Sequence, residues 1–109
     1  MFTPRVKNEQ TDLLMQALLS LHNIDDAYRF CEDVLSAQEL KSITQRLEVA
    51  ALLRQKITYQ EIVKITGAST ATIGRVNRCL VYGANGYNLL LDRLAAAESM
   101  PKAEIEEQL

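Results

Sequence analysis

Residues Thr58 to Arg78, TYQEIVKITGASTATIGRVNR, constrain the fold more than any other stretch of the chain, because they read as two short helices around a glycine turn. Thr58 followed by Glu61 is a capping-box pattern, which starts a helix near Tyr59. Ile62, Val63 and Ile65 give that helix an apolar face. Gly67 stands where the chain must adopt a left-handed conformation to stop and turn. Ser69 or a neighbour then caps a second helix, whose inward positions are Ile73, Val76 and Leu80. Ser69, Thr70, Ala71 and Thr72 are left outward at its start, small enough for a helix N-terminus to lie deep in a major groove. Arg75 and Arg78 follow one and two turns on. The pattern over 58–81 is that of a helix-turn-helix. The competing reading is a plain helical hairpin, since caps and glycine stops occur in many all-helical proteins.

Charge favours the first reading. The 109-residue chain has a net charge of -2 and an isoelectric point near 5.4, which argues against indiscriminate coating of nucleic acid. From Arg54 to Arg78, however, Arg54, Lys56, Lys64, Arg75 and Arg78 face a single acid, Glu61. A basic island on an acidic body suits site-specific binding, although a charge run is more often a solvated face.

The rest of the chain also reads as helical, with no long alternation of the strand type. Residues 1–8 form a flexible N-terminal arm. Leu13, Leu14, Ala17, Leu18 and Leu21 make the apolar stripe of a first helix ending at His22-Asn23, and Asp25 can cap a second that carries Ala27, Tyr28, Cys31, Val34 and Leu35. Ser36 and Glu39 form another capping box. It opens a long third helix with Leu40, Ile43, Leu47, Ala50 or Ala51 and Leu53 inward, running to about Lys56. After the two motif helices, Gly83 and Gly86 break the chain, and a last helix carries Leu89, Leu90, Leu91 and Leu94 until Pro101 stops it. The expected organisation is all-α with six helices: one domain over 9–100, then an acidic, flexible tail over 101–109. Stripes this broad are hard to satisfy within one small protomer, which predicts an isologous dimer; an ordinary intramolecular core is the alternative.

Several function classes drop out. Cys31 and Cys79 are far apart and lack a Cys-x-x-Cys pattern, and His22 is the only histidine, so no metal is expected and both thiols should be reduced and largely buried. There is no paired nucleophile and no glycine-rich phosphate loop, so neither enzyme activity nor a cofactor is expected. No run approaches the ~18 to 20 apolar residues of a membrane span, and Arg5, Lys7, Glu9 and Asp12 interrupt any signal core; the expectation is a cytoplasmic protein.

The segments LKSITQRLEVA from Leu40, YQEI from Tyr59 and GASTATIGRVNRCL from Gly67 resemble the Trp-repressor superfamily, closest to its YerC/YecD branch, over roughly Leu35 to Leu94. That resemblance implies an intertwined helical dimer and a bacterial transcriptional regulator. It also implies a corepressor pocket whose matching positions here are Arg46, Thr72, Arg75, Val76 and Cys79. Two of these depart from the repressor. Val76 replaces a glycine and Cys79 a serine that receives the ligand amino group. An overpacked slot costs ~1 to 3 kcal/mol and a lost polar partner about one more, so tryptophan is not the expected effector and Val76 is expected to fill the slot itself. Further departures are Lys56 for a glycine, Gly74 within the second motif helix, and Asn77 for a lysine.

These residues assign DNA base edges to Ser69, Thr70, Ala71 and Thr72, and phosphates to Gln60, Lys64 and helix N–H groups, with Arg54, Lys56 and Arg78 as further candidates. Arg75 has two readings, toward the pocket or toward phosphate. The expected partners are a double-stranded DNA operator and a second copy of the chain. A helical protein-interaction module, or a regulator gated by a small metabolite, remain the alternatives.

Overall fold

The computed structural model describes residues 1–98. It contains six helices among them and no strand: α1 Glu9–Leu19, α2 Ile24–Val34, α3 Ala37–Arg54, α4 Tyr59–Thr66, α5 Thr70–Tyr82 and α6 Gly86–Glu98. The stop at Pro101 and the tail 101–109 lie outside the described residues.

Helix starts are set by side-chain caps. Asn8 and Thr11 cap α1 reciprocally. Ser36 and Glu39 do the same for α3, with Ser36 N–H donating to Glu39 Oε1 at 2.9 Å and Glu39 N–H to Ser36 Oγ at 3.1 Å. The Ser36 backbone N–H, and after it the Ser36 hydroxyl, hold the Glu39 carboxyl below its ordinary pKa. Asn23, not Asp25, caps α2: its side chain accepts from Asp26 N–H at 2.8 Å, while the Asp26 carboxylate takes His22 N–H at 3.1 Å. The run Asn-Ile-Asp-Asp offers three capping side chains, and the outermost takes the role, leaving both acids to the helix's first turn.

The core lies entirely in the centre of the chain. Among the described residues the buried apolar ones are Val49 and Ala50 of α3, Ile62 of α4, Ala68 of the turn, and Ile73 and Val76 of α5. Leu52, Leu53, Ile57, Val63, Leu80, Tyr87 and Leu91 pack around them. Ile43 and Ile65, expected inward, are instead exposed at 42% and 55%. In α3 the inward face turns on Val49–Ala50, because α4 and α5 both pack there. Ile65 falls on the side of the short α4 away from that contact. Helices α1, α2 and α6 contribute no buried residue.

Two junctions frame the central unit. Helix α3 ends at Arg54, two residues before the expected Lys56, in a left-handed stop: Lys56 N–H donates to Leu53 O at 3.0 Å and Ile57 N–H to Leu52 O at 3.2 Å. Lys56 takes the left-handed position, φ 66°. A side chain there costs roughly 1–2 kcal/mol. At the far end, Gly83 closes α5; a Cβ on it would lie 2.5 Å from Cys79 O, so this break needs a glycine. Asn88 then knits three helices, its amide donating to Leu80 O of α5 and its carbonyl accepting from Arg54 of α3.

Candidate nucleic-acid interface

The unit α4–turn–α5 is fixed by local chemistry. Thr58 Oγ1 accepts from Glu61 N–H at 3.2 Å and starts α4. The reciprocal half of the expected capping box is replaced by an ion pair, with Glu61 Oε1 3.8 Å from Lys64 Nζ. Gly67 is left-handed at φ 74° and ends the helix. Thr66 braces the turn, its hydroxyl donating to Ile62 O at 2.8 Å and accepting from Ala68 N–H at 3.0 Å. Gln45 of α3 donates to Thr66 O at 3.2 Å and ties the turn to the long helix. Ala68, 2% exposed, plugs the turn into the core.

Ser69 caps α5, accepting from Thr72 N–H at 3.1 Å and donating to Thr72 Oγ1 at 3.1 Å. Both hydroxyls are thus engaged in the cap, and Thr72 is half-buried, while Thr70 and Ala71 are exposed. With Ile73 and Val76 inward, the 100° step of a helix puts Ala71, Arg75 and Arg78 on the opposite, outward face. All three are exposed, and neither arginine makes an ion pair among the described residues. On α4, Gln60 and Lys64 are exposed one turn apart, and Lys56 is exposed just before that helix.

Arg54 is placed differently from the other cations. Its guanidinium bonds Asp92 of α6 at 2.5 Å and the Asn88 carbonyl at 3.2 Å, so it serves as a strut between α3 and α6. Of the pocket positions, Val76 is 2% exposed and part of the core, so its own side chain occupies the interior. Arg46 and Arg75 are exposed and Thr72 is half-buried. Cys79, expected to be largely buried, is exposed, and Cys31 is half-buried. Cys79 follows Val76 by three residues but lies beyond the edge of the inward stripe, a full 100° from Leu80.

Two features escaped the sequence reading. One is the Arg54–Asp92 link across 38 positions, which no local pattern announces. The other is an open groove of about 410 Å³ between α3 and α6, lined by Leu47, Ala51, Leu91, Leu94 and Ala95 and flanked by Glu48 and Glu98. Its apolar side chains were visible as separate stripes, but their meeting depends on helix packing.

Two short helices locked around a left-handed glycine, with a small-residue helix start and unpaired cations facing out, define an all-helical protein built to present α5. The chain belongs to the Trp repressor family: the family described as Trp repressor protein matches residues 9–95. It is 44% identical over 95 residues to the uncharacterised protein YerC of Bacillus subtilis (strain 168), covering 87% of this chain and 91% of YerC. Among solved structures, a TrpR-like protein from Eubacterium eligens ATCC 27750 superposes with a TM-score of 0.79 at 49% identity, over 84% of this chain and 94% of that one. A candidate Trp repressor from Staphylococcus aureus gives a TM-score of 0.79 at 40% identity, over 84% and 91% of the two chains. The all-helical, Trp-repressor-like fold expected from the sequence is therefore the fold of this protein. No helix among the described residues is long and apolar enough to cross a membrane.

Proposed function

We propose that this protein is a dimeric, sequence-specific DNA-binding transcriptional regulator that inserts the start of α5 into the major groove. The observation that carries the reading is the outward face of α5, where Thr70 and Ala71 lead and Arg75 and Arg78 follow with no internal ion pair. Small side chains at the front let the helix approach base edges, where threonine can donate or accept and the Ala71 methyl can meet a thymine methyl. Ser69 and Thr72 support the reading mainly by fixing the helix start, since their hydroxyls bond each other. Gln60, Lys64, Lys56 and Arg78 take phosphates, and the exposure of Arg75 favours phosphate over pocket for it too.

Dimerisation fits the unsatisfied apolar surface. Leu13, Leu19, Leu90 and Leu94 are 68%, 86%, 51% and 52% exposed in the protomer, and Leu94 also lines the α3–α6 groove. Two copies would also present two α5 helices, as a palindromic operator requires. Val76 fills the slot an indole would need, which supports a regulator that does not respond to tryptophan.

The test is selection from a random DNA pool at two salt concentrations, with Ala71→Glu as control and the mass in solution measured in parallel. Enrichment of a palindrome by a dimer, lost in Ala71→Glu, is the expected result. A folded protein that enriches nothing, or binds a partner equally well at high salt, overturns the reading, because DNA affinity falls steeply with salt.

A further inference from the structure

Two non-glycine residues among those described have positive φ, Lys56 at 66° and Asn85 at 68°. Asparagine tolerates this region because its short amide bonds locally; lysine has no such compensation. The stop at the end of α3 uses only backbone groups, so it requires a left-handed residue but nothing that a lysine supplies. At the end of α4 the same conformation is filled by glycine, Gly67 at φ 74°. Strain of this kind persists where the side chain serves a purpose that the fold does not.

The surroundings indicate that purpose. The Lys56 side chain is exposed and makes no ion pair among the described residues, whereas Arg54 pairs with Asp92 and Lys64 with Glu61. It stands two positions before Thr58, the cap of α4. There Thr58 takes Glu61 N–H through Oγ1 and Ile62 N–H through its carbonyl. The N–H groups of Tyr59 and Gln60 come earlier in the first turn and have no acceptor within the helix. Two backbone donors are thus open to a phosphate oxygen at the start of the helix that Lys56 precedes.

We infer that Lys56 is a phosphate-contacting residue held in an unfavourable backbone conformation, so that grip on the DNA backbone and stability of the fold oppose each other at this one position. The inference rests on the DNA-binding reading and deepens it. Such a contact acts alike on all sequences and appears in the salt dependence rather than in base preference.

The experiment compares wild type with Lys56→Gly, Lys56→Asn and Lys56→Arg, measuring Tm and affinity for a random-sequence duplex across a salt series. Lys56→Gly and Lys56→Asn should raise Tm by roughly 4 °C or more. Both should bind the duplex about three- to tenfold more weakly, with a slope of log affinity against log salt shallower by about 0.9 per protomer. Lys56→Arg should keep the wild-type Tm, affinity and slope. If Lys56→Gly gains stability but binds with unchanged affinity and slope, or gains no stability, this inference alone is overturned. If wild type binds neither this duplex nor a selected site, the DNA-binding reading falls and the inference with it.

Discussion

The central unit α3–α5 and the flanking helices α1, α2 and α6 are both rich in aliphatic side chains, yet they use them in opposite ways. The first closes a core within one protomer around Val49, Ile62, Ile73 and Val76. The second leaves leucines in the open, Leu19 at 86% and Leu94 at 52%. The difference separates two tasks. Holding α5 at a fixed angle to α4 needs only this chain, because caps, a glycine and six buried residues determine it. Satisfying the flanks needs a second surface, which is the physical reason for proposing a dimer.

The contrast is sharpest in paired truncations. Ile73→Ala, at a fully buried position, should lose about 2–5 kcal/mol and unfold the α4–α5 unit, while Leu19→Ala should leave urea unfolding of the dilute protein nearly unchanged. Equal losses would erase the distinction between the two regions. Gly67→Ala comes next. A Cβ there meets no atom within 4 Å, so its whole effect is the left-handed backbone, roughly 1–2 kcal/mol by denaturant titration.

Ser36→Ala, at the start of α3, should cost about 1 kcal/mol at neutral pH. Because the folded Glu39 carboxyl titrates below its unfolded value, the part of this cap that depends on the carboxylate is present above the unfolded pKa. It is lost as pH falls through the folded pKa. Ser36→Ala keeps the backbone N–H bond to the carboxylate and removes only the hydroxyl, so the gap between wild type and variant should narrow in acid by the hydroxyl's share alone; a gap independent of pH would show that the hydroxyl does nothing for the carboxylate. Smallest is Gly74→Ala. The new Cβ meets nothing within 4 Å, and alanine favours a helix interior by up to ~1 kcal/mol, so thermal melting should show a modest gain.

What was legible in the sequence was what is decided locally. The caps Ser36, Thr58 and Ser69 and the left-handed Gly67 lie where the spacing put them, because a cap is settled within one turn of helix. The Asp25 cap failed where three competent side chains adjoin. The inward face of α3 was displaced toward Val49 because two helices pack on it, and periodicity within α3 carries no record of its neighbours. The candidate site divides the same way. Residue types and the outward face of α5 could be read from period 3.6, but the diversion of Arg54 to Asp92 and the mutual bond of Ser69 and Thr72 depend on three-dimensional partners.

The confinement of the buried core to Val49–Val76 bears on the order of folding. Contacts that close over short stretches of chain incur little loop entropy, so this unit should collapse before the ends are recruited. During synthesis, α3, α4 and α5 can associate while α6 is still being made, whereas in the proposed dimer α1 and α2 wait for a later, bimolecular step. Stopped-flow refolding should accordingly show a fast, concentration-independent phase sensitive to Ile62→Val, followed by a slower phase that speeds up with protein concentration. A single phase that scales with concentration throughout would mean that the core does not form ahead of assembly.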